Sequence, residues 1–129
     1  MELHAFFNKM ATHPPVDTIH IAIHDGVAQG LWGPIMIQNL TSNVSVWDIL
    51  SGIYAYFQTP VSSNEQDYLK ELDETNHTLL LDAASKRGAF TIFDIKRIDS
   101  LGDQRRFWGL WITNKGQDGW HLNLGLRGP

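Results

Sequence analysis

The residue types in this chain with chemical potential are two nearby histidines, an Arg-x-Asp pair and a late run of aromatics. His20 and His24 could share a metal ion or move a proton near neutral pH. Their setting decides between these. Ile19, Ile21 and Ile23 alternate with His20, Ala22 and His24, the two-residue period of a half-buried strand. Four residues along a strand span about 13 Å at ~3.3 Å per residue, too far for one ion, so the spacing predicts no metal site. If that face lines a groove, His20 and His24 become candidates for proton transfer.

Ile95 to Leu101 reads as a strand, which sets Arg97 and Asp99 on one face. Such a pair is usually structural. Its functional version has Arg97 or Arg106 gripping a carboxylate or phosphate bidentately, with Asp99 fixing the guanidinium. The chain also holds five tryptophans, and Phe107, Trp108, Trp111 and Trp120 gather near its end. Strict alternation turns Phe107, Gly109 and Trp111 one way and Trp108, Leu110 and Ile112 the other. Apolar groups on both sides predict a sheet covered on both faces. Helices take one, and an N-terminal arm, a ligand or a partner chain takes the other. Arg97, Arg106, Trp108, Trp111 and Trp120 are the predicted binding residues.

These residues must be positioned by a small set of elements. Asp25-Gly26 offers a turn after the first strand, and Pro34 marks an edge-like entry into Ile35-Met36-Ile37. Ser45-Val46-Trp47-Asp48 is a capping-box start. Val46, Ile49, Leu50, Ile53, Tyr54 and Phe57 then form one apolar helical stripe that stops before Thr59-Pro60. Ser62 to Glu65 repeats the capping pattern for a second helix reaching about Glu74, and Leu79 to Lys86 is read as a third, stopped by Gly88. Four strands follow: Phe90 to Asp94, Ile95 to Leu101, Phe107 to Thr113 and Trp120 to Leu126. Strands, then helices, then strands predict an α+β fold, an antiparallel sheet with two or three helices packed on one face. Residues 1–17 are expected as an extended arm whose Leu3, Phe6 and Phe7 pack onto a single domain over 18–129.

Composition narrows the function. At 129 residues and 43% hydrophobic content there is material for one core, and 10 Lys plus Arg against 14 Asp plus Glu give a net charge of −4. A mildly acidic surface does not grip a phosphate backbone, so nucleic acid is not expected as a partner. The absence of cysteine excludes disulfides, thiolate catalysis and Cys-type metal sites. No stretch approaches the ~18 apolar residues of a membrane span, and the opening residues lack a secretory pattern. A cytoplasmic or nuclear location is expected, where sequons at Asn39, Asn43 and Asn76 serve as turn and cap residues.

Three ordered stretches resemble an uncharacterised domain-of-unknown-function family abundant in mushroom-forming fungi. They are Leu31 to Ile37; Val44 to Leu50 with Ile53-Tyr54 and Pro60-Val61-Ser62; and Arg97 to Leu101 with Phe107 to Leu110 and Trp120-His121-Leu122. The resemblance implies a strand leading into a capped helix, then an Arg-x-Asp-x-Leu segment before a terminal hairpin. It implies no reaction, cofactor or substrate. No phosphate loop, nucleophile elbow or metalloprotease helix is present, and Asp118-Gly119 reads as a hairpin turn. The sequence therefore points to a binding or interaction module recognising a protein segment or an apolar small molecule through an aromatic face, with a homodimer as a further option. The alternative is a small cofactor-free lyase, isomerase or cyclase in an apolar pocket, with His20, His24, Tyr54, Asp99 or His121 as its acid–base group.

Overall fold

The computed structural model describes residues 8–24, 27–89, 91 and 94–128. The Asp25-Gly26 turn, the packing of Leu3, Phe6 and Phe7, and most of the Phe90 to Asp94 strand lie outside these residues. The alternating isoleucines form β1 (Thr18–Ile23), with Ile19, Ile21 and Ile23 buried. A short helix, α1 (Ala28–Trp32), leads to β2 (Ile35–Gln38), which pairs antiparallel with β1.

The capping signals hold at atomic level. Ser45 Oγ accepts the Asp48 N–H at 3.1 Å, and the Asp48 carboxylate accepts the Ser45 N–H at 2.9 Å, starting α2 (Val46–Gln58). Ser62 and Glu65 repeat this at 3.2 and 3.0 Å for α3 (Ser63–Leu72). Asp73 caps α4 (Glu74–Arg87), which begins five residues earlier than its leucine run suggests and stops where Gly88 turns left-handed at φ +98°.

β3 (Arg106–Gly116) and β4 (Gly119–Arg127) form the terminal hairpin. The strand order is β2-β1-β4-β3, with β4 parallel to β1, so the sheet is mixed rather than antiparallel throughout. The helical excursion between the two halves supplies the long connection that parallel pairing needs. Ile95 to Leu101 is not a strand either. Residues Arg97–Leu101 wind into a 3₁₀ turn because Asp99 folds inward to accept the Lys96 N–H at 2.9 Å and pair with Arg87.

Among the described residues four α-helices accompany the sheet, more than the two or three expected. α2 packs on β2, and Gly52 makes the approach possible: a Cβ there would collide with the Ile37 side chain. Ile49 and Phe57 join Ile19, Ile21, Ile37, Trp120, Leu122 and Leu124 in one core. The α3–α4 hairpin closes a second cluster, Val61, Leu69, Leu80, Ala84 and Ile95. Described arm residues are tied to the domain by backbone: Lys9 and Ala11 bond to Val46 and Val44.

Candidate functional site

The terminal hairpin brings together most of the chemistry on the open side of the sheet. β3 pairs only with β4, leaving its outer backbone edge without a strand partner among the described residues. Its register to β4 shifts between Phe107 and Gly109 and again between Ile112 and Asn114. Each shift adds one residue and rotates the side chains beyond it. Strict alternation therefore fails. Phe107, Leu110 and Ile112 oppose Leu126, Leu124 and Leu122 on the helix side, whereas Trp108 and Trp111 come together on the other face. Their rings meet edge to face at 6.2 Å above Gly125, where any Cβ would lie 2.8 Å from Trp111 and 3.0 Å from Trp108. Phe107, Trp108, Trp111 and Ile112 remain 56, 63, 44 and 48% exposed. Arg106 stands directly opposite Arg127, so the open end of the hairpin is cationic, and Lys115 adds charge near the other end. On the helix side, Leu50, Tyr54 and Phe57 of α2 converge with Phe107 and Leu126 on an apolar cleft of about 240 Å³.

One strand further in, parallel pairing sets His20 against His121. The imidazoles stack at 4.6 Å with planes 12° apart. Both Nε2 atoms reach Asp118: His121 lies 3.1 Å from the carboxylate, and His20 lies 2.9 Å from the carbonyl oxygen and 3.9 Å from the carboxylate. The hydrogen bond with His121 holds the Asp118 carboxyl below its usual value, with the two imidazoles adding to that pull. His24 goes elsewhere, with Nε2 at 2.9 Å from Asn123 Oδ1. His20, His24, Thr113, His121 and Asn123 help line a second cleft of about 390 Å³.

A family model described as a family of unknown function, DUF6699, matches residues 2–119. The chain belongs to that family. No curated protein and no solved structure is similar enough to match. In this DUF6699 chain the matched stretch ends on the first residue of β4, so the hairpin turn and all of β3 lie inside it.

Other residues singled out from the sequence have different places in this family member. Asp99 is fully buried. It accepts from Arg87 Nε at 3.0 Å and Nη2 at 2.9 Å, and it lies 3.6 Å from Arg105. The expected Arg97–Asp99 clamp is therefore replaced by an Arg87–Asp99–Arg105 group that ties α4 to the 3₁₀ turn. Arg97 instead sits between Trp32 and Tyr56, its guanidinium carbon 5.1 and 4.8 Å from their ring centres. Trp120 is buried in the core with Lys115 Nζ 4.6 Å over its ring, so it does not join Trp108 and Trp111. Tyr54 is exposed beside the apolar cleft. Sequence reading missed three participants. Asp118 was hidden as a turn residue, and Gly125 and Arg127 carry no signal until β4 is placed beside β3.

Proposed function

We propose that this chain is an intracellular interaction module whose edge strand β3 captures an extended segment of a partner protein. The observation that carries it is an 11-residue edge strand on which Phe107, Trp108, Trp111 and Ile112 are all exposed. Strands with free edges recruit extended peptides through main-chain hydrogen bonds, while alternate side chains select the sequence. Here the two sides of such a peptide would meet the Trp108–Trp111 pair and the Phe107 cleft. A small molecule in that cleft would leave the tryptophans and the backbone edge uncovered.

Charge argues for a foreign segment over a second copy. Antiparallel pairing of two β3 strands about Leu110 and Trp111 would set Arg106 against Lys115, and like charges directly opposite destabilise. The segment that fits has an apolar centre and acidic ends. The enzyme reading has less support, because the cleft lined by His20, His24 and His121 includes neither Trp108 nor Trp111, and the apolar cleft beside Phe107 is lined by no histidine.

The test is a displayed library of random dodecapeptides selected on the purified chain, with light scattering of the free chain in parallel. The expected result is enrichment of apolar sequences with acidic ends and at least tenfold weaker binding of the selected peptide to Trp108→Ala/Trp111→Ala. Enrichment without dependence on these tryptophans, or a stable dimer that masks β3, would contradict the proposal.

A further inference from the structure

We infer that His20, Asp118 and His121 form a binding site for a divalent first-row transition ion of the zinc type. This site is separate from the peptide-binding edge and does not rest on that reading. Each residue offers one donor atom, and the three atoms all lie within 4.8 Å of one another. Two imidazole nitrogens and a carboxylate oxygen are the donors such an ion takes, at about 2.0–2.2 Å each. Tetrahedral geometry asks for donor separations near 3.3 Å. His121 and Asp118 already stand at 3.1 Å, and His20 must leave the Asp118 carbonyl and turn toward the carboxylate to complete the set.

The turn holds the carboxylate in place. Gly116 and Gly119 flank the two-residue loop Gln117-Asp118. A Cβ on Gly116 would lie 2.6 Å from Asp118 Oδ1, and Gly119, at φ +116°, packs so closely on Thr18 that a Cβ would lie 2.6 Å from its carbonyl oxygen. Glycine at 119 lets the turn sit against β1, with the Asp118 carboxylate beside the stacked rings. An ordinary hairpin needs no such contact. Stacked imidazoles that both charge would repel, whereas a shared cation takes the place of their Nε2 protons once one ring tilts out of the stack. With three protein donors and the adjoining cleft of about 390 Å³, a coordination position remains for water or a ligand.

The experiment uses the untagged chain, stripped with a chelator and titrated with Co²⁺ alone by visible absorption and with Zn²⁺ alone by calorimetry. Expected are one equivalent per chain and affinity that falls as the pH is lowered. Asp118→Asn removes a donor from an exposed turn without threatening the fold and should weaken binding by at least ~10–100-fold. His121→Asn should do the same, and His77→Asn on α4 should change nothing. Binding that is not stoichiometric, or that survives both Asp118→Asn and His121→Asn, would overturn the inference.

Discussion

Two carboxylates in this chain each stand between a pair of nitrogen bases, and their surroundings give them different roles. Asp99 is buried completely, with both oxygens taken by Arg87, Arg105 and the Lys96 N–H. Asp118 has 68% of its side chain exposed, and its partners are imidazoles. A fully buried carboxylate with permanent guanidinium charges around it has no remaining capacity for a ligand, so it serves the fold. A carboxylate facing two imidazoles beside an open cleft keeps donor atoms available. The same contrast separates the two ends of the aromatic run. Trp120 has its ring in the core under Lys115, whereas Trp108 and Trp111 meet each other over Gly125 and stay exposed.

The comparison breaks first at Asp99. Asp99→Ala leaves two arginines facing a void and should lower unfolding free energy by about 3–5 kcal/mol in chemical denaturation. A loss under 1 kcal/mol would show that Asp99 is as free as Asp118. Ser45→Ala, which removes one arm of the α2 capping box, is expected to cost about 1 kcal/mol in the same assay.

A pH series adds a signed effect. Burial pushes the Glu65 carboxyl up, but hydrogen bonds from Ser62 and the Trp32 ring N–H, with the Arg97 charge nearby, hold it below its usual 4.5. A group depressed in the folded state takes up protons first in the unfolded chain. Its stabilisation is therefore complete above pH 4.5 and fades as pH falls through the folded value. Glu65→Gln should lower stability at pH 7 and flatten the loss below pH 4.5; an unchanged acid limb would remove Glu65 from the account. At the hairpin, Gly125→Ala should splay Trp108 and Trp111 and alter tryptophan fluorescence, with stability lowered by less than about 1 kcal/mol, since both rings can move into solvent. Smallest of all, Asp118→Asn should leave the chemical denaturation midpoint of the parent unchanged, because its carboxylate is exposed on the turn.

Much of the fold was legible because its signals are local. The β1 alternation, the Ser45–Asp48 and Ser62–Glu65 boxes and the Gly88 stop depend on neighbours within a few residues, and each was found where its pattern sits. The misreadings came from distant partners. Arg87 and Arg105 draw Asp99 inward and turn an apparent strand into a 3₁₀ turn. Parallel entry of β4 beside β1, which no local pattern encodes, makes the sheet mixed and joins His20 to His121. Two bulges defeat strict alternation and move Trp108 to the side of Trp111. His20, His121, Trp108 and Trp111 were all visible as candidates, but their grouping depended on register.

The central claim is that β3 offers its outer edge to an extended segment, and amide hydrogen exchange read by NMR tests it most directly. On saturation with a selected acidic-ended peptide, alternate β3 amides that point away from β4 should gain protection, together with shifts at Trp108 and Trp111. Binding that leaves β3 exchange unchanged and perturbs the α3–α4 hairpin instead would contradict the account.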